Sequence, residues 1–233
     1  MNVGLYRGVA AIQANERRLE TITSNLANLG TTGFKRRGAV QHGFAVGQLE
    51  LGFEGVGTST RVDFSQGALE RTGNPLDLAL NGDGFFAVEG PQGEVFTRNG
   101  SLQFDGEGVL TTSEGYPVAW DGGRGNIDPA GGAITVDLEG GVHQDSARVG
   151  RLKIRSFPAA DRLQPLESGY WRAGPALLAE PSTAEVHQGA LERANVSAVD
   201  ELVHLITVQR DFEAASKVVR LIDQSYERLN NLR

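Results

Sequence analysis

The sequence predicts a mixed α and β fold. An N-terminal and a C-terminal helix form an antiparallel coiled-coil-like pair, and a mainly antiparallel β domain is inserted between them. Three observations predict this. Apolar residues recur at heptad spacing at both ends of the chain. Glycine accounts for 31 of the 233 residues, nearly twice the ~7% of an average domain, as a middle full of tight turns requires. Yet neither Gly nor Pro occurs from Val196 to Arg233.

Residues 1 to 30 read as the first helix. Leu5, Ile12, Leu19 and Leu26 fall seven apart, with Ile22 and Leu29 three residues after the last two. That is the a/d spacing of a coiled-coil seam. Gly8 and Asn15 interrupt the second row. Asn2 is the expected N-cap, and Gly30 the expected left-handed residue that ends the helix.

Residues from 197 onward read the same way, more strongly. Leu205, Phe212, Val219 and Tyr226 are seven apart, each followed at three by Val208, Ala215, Ile222 and Leu229. Ser197 with Asp200 offers a capping-box start. At ~1.5 Å per residue the helices reach roughly 40 and 50 Å. One such helix is more often packed on its own core. Two, one at each terminus, make the middle an insertion. The helical domain is therefore 1–35 with 197–233, followed by an extended linker over 36–64 holding one strand, and a β-rich outer domain over 65–196.

Within the β domain, Phe85–Val88 is an apolar run bounded by Asn81-Gly-Asp-Gly and Gly90-Pro91. Val95–Arg98 and Ser101–Phe104 flank Asn99-Gly100, a hairpin signal because both residues tolerate φ > 0. Asp105-Gly106 precedes a strand at Val109–Thr112. Tyr116–Trp120, Ala133–Leu138 and Arg151–Phe157 complete about seven short strands, a spacing that suits an antiparallel sandwich or barrel. Gln66-Gly-Ala-Leu-Glu-Arg71 recurs as Gln188-Gly-Ala-Leu-Glu-Arg193. The copies bracket the β domain and predict two related strands, sharing a sheet, where the chain enters and leaves it.

Charge and composition narrow the function. The net charge is −7; residues 1–60 carry +2, 61–195 carry −8 and 196–233 carry −1. No basic face points to nucleic acid. Lys35-Arg36-Arg37 is short, reading as a solvated turn or a contact to an acidic neighbour. Cysteine is absent, which removes disulfides, thiolate metal sites and a thiol nucleophile. The four histidines are isolated in sequence and begin no metal pattern. No nucleotide loop or nucleophile elbow is present. The sequence therefore nominates no catalytic, cofactor-binding or metal residue. No run approaches the ~20 apolar residues of a membrane helix, so no membrane insertion is expected. Charged residues interrupt the N-terminus where a secretory signal would lie.

Two stretches then carry a resemblance. Ser24-Asn-Leu-Ala-Asn-Leu-Gly-Thr-Thr-Gly-Phe-Lys35, directly after the first helix, resembles the N-terminal signature of bacterial flagellar rod and hook proteins, with Asn25, Asn28, Gly33 and Lys35 among its positions. Gly73-Asn-Pro-Leu-Asp-Leu-Ala-Leu-Asn-Gly-Asp-Gly-Phe-Phe86, which includes Gly84 and Phe85, resembles the internal motif of the rod subunits, and Thr97-Arg-Asn-Gly100 follows it with Asn99 and Gly100. Gln188–Val196, with Asn195, and Gln209–Glu213 resemble their C-terminal region. The short chain and Val149–Phe157 resemble the proximal-rod class, FlgF, more than the distal-rod class, FlgG. Ala194 departs from the Ser often found before Asn-Val.

The resemblance implies a structural subunit of the basal-body rod in the periplasm, exported through the flagellar type III apparatus without a cleaved signal. It implies partners among other rod subunits and copies of itself, no cofactor and no nucleic acid. Helical assembly builds a hollow shaft that transmits torque, with the terminal helices in the wall. It also implies roles: Leu26 and Leu29 continue the seam, Asn28 and Gly30 let the helix stop, Gly33 permits a turn and Phe34 anchors the linker. Outside this family, the same features fit a secreted β domain that binds glycans or protein on a helical oligomerisation stalk, or an enzyme with a carboxylate pair in the β domain.

Overall fold

A computed structural model describes residues 3–45, 54–123, 127–128, 131–145 and 147–230. The chain divides into two units: residues 1–28, 36–63 and 196–233 form the first, and 29–35 with 64–195 the second. The fold is mixed α and β, with a helix near each terminus and antiparallel sheets.

In the first unit, α1 spans Val3–Ala27 and α2 spans Ala198–Asn230. A Cβ placed on Gly8 would come within 2.6 Å of Val219 Cγ2, and Arg18 Nη1 lies 3.6 Å from Asp211 Oδ2. Contacts that fall along α2 as they rise along α1 mean that the helices run in opposite directions. Ser197 Oγ accepts the Asp200 N–H at 3.4 Å and starts α2 as its N-cap. The end of α1 differs from expectation. The helix stops at Ala27, and the left-handed residue is Gly33 (φ +67°) rather than Gly30. At that end Ser24 O accepts both the Asn28 backbone N–H at 3.2 Å and the Asn28 side-chain amide at 2.8 Å.

The segment expected as a linker with one strand is a two-stranded antiparallel ribbon, Arg37–Ala45 with Glu54–Val62, in register from Arg37↔Val62 to Ala45↔Glu54. Ser59, Thr60 and Arg61 are exposed. Three consecutive exposed residues give no apolar alternation to reveal the second strand. The segment also divides differently: 36–63 belongs with the helices and 29–35 with the β-rich unit.

The second unit is built around a six-stranded antiparallel sheet. Its order is Gln164–Pro165, Tyr170–Arg172, Gly93–Thr97, Phe85–Gly90, Ile154–Ser156 and Glu180–Pro181. The central strand is covered on both faces. Period two sends Phe86 and Val88 into a core with Leu78, Leu80, Leu152 and Val186. Phe85 turns the other way, 5.6 Å from the Phe64 ring, which lies 4.9 Å from Trp171. Smaller antiparallel sheets complete the unit: Ile134–Val136 with Gly141–Gln144 and Ala147–Arg151, Leu102–Phe104 with Leu110–Thr112, and Leu78–Asn81 with Glu185–Gln188.

Two expected elements differ. The hairpin turn lies at Gly90–Gly93, joining Phe85–Gly90 to Gly93–Thr97, and not at Asn99-Gly100. Gly100 is needed for close packing instead: a Cβ there would lie 1.8 Å from Leu78 O. Tyr116–Trp120 makes only isolated bridges, Thr111↔Pro117, Val88↔Val118 and Trp120↔Leu152. Pro117 has no N–H with which to extend a ladder.

The repeated hexapeptides pair with each other. Leu69–Arg71 and Ala190–Glu192 form a two-stranded antiparallel ribbon, with Ala190↔Arg71 and Glu192↔Leu69. The two glutamines of the repeat act alike on backbone. Gln66 accepts the Gly82 N–H at 2.9 Å, and Gln188 accepts the Val136 N–H at 3.1 Å while donating to Ile134 O.

Candidate assembly site

The positions of the N-terminal motif act in both units. In the first, the Asn25 amide behaves like a strand neighbour. Its Nδ2 donates to Arg37 O at 2.8 Å, and its Oδ1 accepts the Arg37 N–H at 2.9 Å. Asn25 is fully buried, so this clip satisfies a backbone that water cannot reach. Arg36 Nε donates to Glu201 Oε1 at 2.6 Å.

In the second unit, three charged side chains meet out of water. Glu192 is 1% exposed, Lys35 0% and Arg98 3%. Glu192 Oε1 accepts from Lys35 Nζ at 2.7 Å and from the Gly67 N–H at 2.8 Å. Its Oε2 accepts from Arg98 Nη1 at 3.2 Å. Lys35 also donates to Ser65 O, and Arg98 to Gly82 O. Burial pushes the Arg98 guanidinium below its usual pKa, against the pull of Glu192. Its charge lies 5.3 Å from the centre of the Phe85 ring. Gly33 donates its N–H to Glu192 O at 2.7 Å. A Cβ there would strike the Arg98 backbone at 2.5 Å, so only glycine fits. Asn195 Nδ2 donates to Ser65 O at 3.0 Å, and Phe34 is buried. Lys35, Gly33, Arg98, Glu192 and Asn195, drawn from three distant motifs, thus share one cluster.

The remaining motif positions are packing and turn residues. A Cβ on Gly84 would lie 2.4 Å from Ser182 Oγ. Asn99 Oδ1 accepts the Ser101 N–H at 3.1 Å.

The expected seam residues are not equally placed. Ile22 and Val208 are buried; Ile12, Leu26, Leu29, Leu205, Ala215, Val219 and Ile222 are half-buried. Leu19 is 37% exposed and Phe212 39%. Leu29 lies in the second unit. The side chains of Leu5, Tyr226 and Leu229, and Asn2, lie outside the described residues. On α1 the buried row is Gly8, Asn15 and Ile22, so the interrupted row makes the contact and Leu19 is displaced to its margin. A missing side chain at Gly8 is what admits Val219.

Sequence reasoning missed Arg98, Glu192 and Glu201. Lys35-Arg36, read as a turn or an acid contact, supplies the signal that could have found two of these carboxylates. It also missed a second apolar row on α2, where Val199, Leu202, Val203 and Ile206 lie at i, i+3, i+4 and i+7 and are at least half exposed.

Among the described residues no helix is long and apolar enough to cross a membrane, and no group of His, Asp or Glu could hold a metal ion. What the geometry offers is a helix pair with apolar outer surface and a β-rich unit closed by a charge cluster.

Comparison with known proteins agrees along the chain. A family model described as flagella basal body rod protein matches residues 5–35. One described as the flagellar hook protein FlgE/F/G D1 domain matches 79–144, and one described as the flagellar basal body rod FlgEFG protein C-terminal region matches 187–232. The flagellar basal-body rod protein FlgF of Mesorhizobium japonicum is 34% identical over 94% of this chain and 93% of its own length. That of Caulobacter vibrioides is also 34% identical, with the same coverage. The flagellar basal-body rod protein FlgG of Bacillus subtilis is 29% identical over 98% of both chains. The chain belongs to the family of flagellar basal-body rod proteins, structural components of the rod and not enzymes.

Proposed function

We propose that this chain is a proximal-rod subunit of the FlgF class, assembling helically with other rod subunits into the hollow shaft that carries torque from motor to hook. The observation that carries this is the resemblance over nearly the full length to FlgF proteins at higher identity than to the FlgG of Bacillus subtilis. The helix pair supports it, because both helices keep apolar side chains on their outer surface that assembly would cover.

In this reading α1 and α2 form a coiled-coil-like pair in the rod wall. Ile12, Leu19, Ile22, Leu26, Leu205, Val208, Phe212, Ala215, Val219 and Ile222 supply its seam and neighbour contacts, with Leu5, Tyr226 and Leu229 extending it towards the chain ends. Leu29 and Phe34 anchor the turn after α1. The subunit travels through the flagellar type III apparatus to the periplasm without a cleaved signal. Deleting residues 1–30 or 200–233 abolishes incorporation in this reading.

The test is electron microscopy of basal bodies from a strain carrying a tagged copy. Density for the chain in the proximal rod supports the reading. Density in the distal rod assigns it to the FlgG class, and absence from the rod overturns it.

A further inference from the structure

Asn-Gly occurs twice in the chain, at Asn81-Gly82 and at Asn99-Gly100. In this dipeptide an asparagine side chain readily reacts with its own backbone, because glycine has no Cβ to shield its nitrogen or to restrict its approach. The glycine nitrogen attacks the asparagine Cγ. A new N–Cγ bond forms, the Cγ–Nδ2 bond breaks, and the departing nitrogen takes the backbone proton away as ammonia. Water then opens the cyclic imide at one of its two carbonyls, leaving aspartate or isoaspartate. The reaction needs a backbone N–H free to give up its proton, a side-chain amide free to swing onto that nitrogen, and water.

The two sites are guarded differently. Gly100 is buried and its carbonyl accepts the Leu78 N–H at 2.9 Å. Asn99 Oδ1 is held by the Ser101 N–H at 3.1 Å. Packing closes that site. Asn81 and Gly82 are both exposed, so water reaches them and packing is not the guard. Hydrogen bonds take its place. Gln66 Oε1 accepts the Gly82 N–H at 2.9 Å, which occupies the proton the reaction must remove. Gln66 Nε2 donates to Leu80 O at 3.3 Å and to Asn81 Oδ1 at 3.4 Å. One carboxamide thus grips both reacting groups. Arg98 Nη2 donates to Gly82 O at 2.8 Å and Ser182 Oγ to Asp83 O at 2.6 Å, pinning the two peptide units that follow.

We propose that Asn81-Gly82 is a deamidation site and that Gln66, the first residue of the repeated hexapeptide, holds it shut. Reaction there damages the β-rich unit. Asn81 stands directly opposite Glu185 in its strand pair, and Asp83, two residues on, is exposed. A new carboxylate at position 81 repels its cross-strand neighbour. An isoaspartate also adds one carbon to the backbone of a strand whose register is fixed.

The test follows the intact chain during incubation at neutral pH. After digestion, aspartate and isoaspartate at positions 81 and 99 are separated by chromatography and identified by mass spectrometry. A synthetic peptide of residues 78–86 gives the unrestrained rate. Position 81 is expected to convert many-fold more slowly in the chain than in the peptide. Gln66→Met keeps the length of the side chain and removes both polar atoms. It is expected to speed conversion at 81 several-fold and to leave 99 unchanged. Equal rates in chain and peptide overturn the proposal, and so does a Gln66→Met rate equal to that of the wild type. A rise at both positions overturns it as well, because general loosening and not loss of the clamp then explains the change. Hydrogen exchange at the Gly82 amide gives a second reading that needs no variant. Slow exchange is expected, and exchange as fast as in the peptide overturns the clamp.

Discussion

Lys35 Nζ lies 2.7 Å from Glu192 Oε1, a buried ion pair between residues 157 positions apart. Arg98 approaches the other oxygen of the same carboxylate. One anion therefore holds two buried cations, and removing it strands both. Glu192→Gln is expected to destabilise the β-rich unit by about 3–5 kcal/mol, the usual cost of breaking a buried pair from one side. Glu70→Gln, at the matching position of the repeat, breaks only an exposed pair with Arg193 and should cost no more than about 1 kcal/mol. Urea titration followed by tryptophan fluorescence isolates the effect, because Trp120 and Trp171 both lie in that unit.

Gly8 and Val219 set the close approach of the helices. Gly8→Ala gains about 1 kcal/mol of helix propensity, but its Cβ meets a stiff β-branched side chain at 2.6 Å. The single variant should lower the thermal midpoint of the helical signal in far-ultraviolet circular dichroism. Adding Val219→Ala should bring it back above that of the single variant. Equal midpoints for the two variants would show that the helices do not touch there.

Tyr170 gives the β-rich unit an alkaline limit. Burial raises its phenol well above the ordinary value near 10, and its hydrogen bond to Glu114 adds to this. The folded state thus favours the protonated phenol. Its stability is complete below pH 10 and declines as pH rises past that point. Melting curves between pH 8 and 11 should show the decline. Tyr170→Phe should lose about 1 kcal/mol at pH 8 and give a flatter profile above pH 10.

The Asn25 clip predicts a loss that shape alone cannot repair. Asn25→Leu fills a similar volume but leaves the Arg37 N–H and C=O without their partners. The expected cost is about 2–3 kcal/mol, read from denaturation of the helical unit. Asn25→Asp retains only the acceptor, so it should fall between wild type and leucine.

Val208 and Phe212 separate folding from assembly. Val208→Asp places a charge at a site 3% exposed and should cost several kcal/mol of stability. Phe212→Asp changes a side chain 39% exposed, so the chain should keep its melting temperature while swarming falls.

What the sequence revealed and what it hid follow from the range of the interactions. The helices were legible because their period is local, and Phe85–Val88 because turn residues bound it. The pairing of the two hexapeptides was legible from their identity alone. The burial of Glu192 was not, since the same six letters leave Glu70 exposed; the difference comes from Lys35 and Arg98, far away in the chain. The second strand of the ribbon was hidden because Ser59, Thr60 and Arg61, all exposed, give no apolar alternation. Asn99-Gly100 looked like a hairpin turn because its letters suit one, whereas Gly100 is there to let Leu78 O approach. Leu19 was placed in the seam by heptad counting, which cannot see that a glycine shifts the line of closest approach.

The pairing of the two hexapeptide strands has a consequence for the order of events. The strings are interchangeable, and only the second has two cations waiting for its glutamate. The ribbon can be told from a mispaired one only after the last part of the β-rich unit has been synthesised or delivered. Until then the β-rich unit lacks the clasp that Glu192 makes with Lys35 and Arg98.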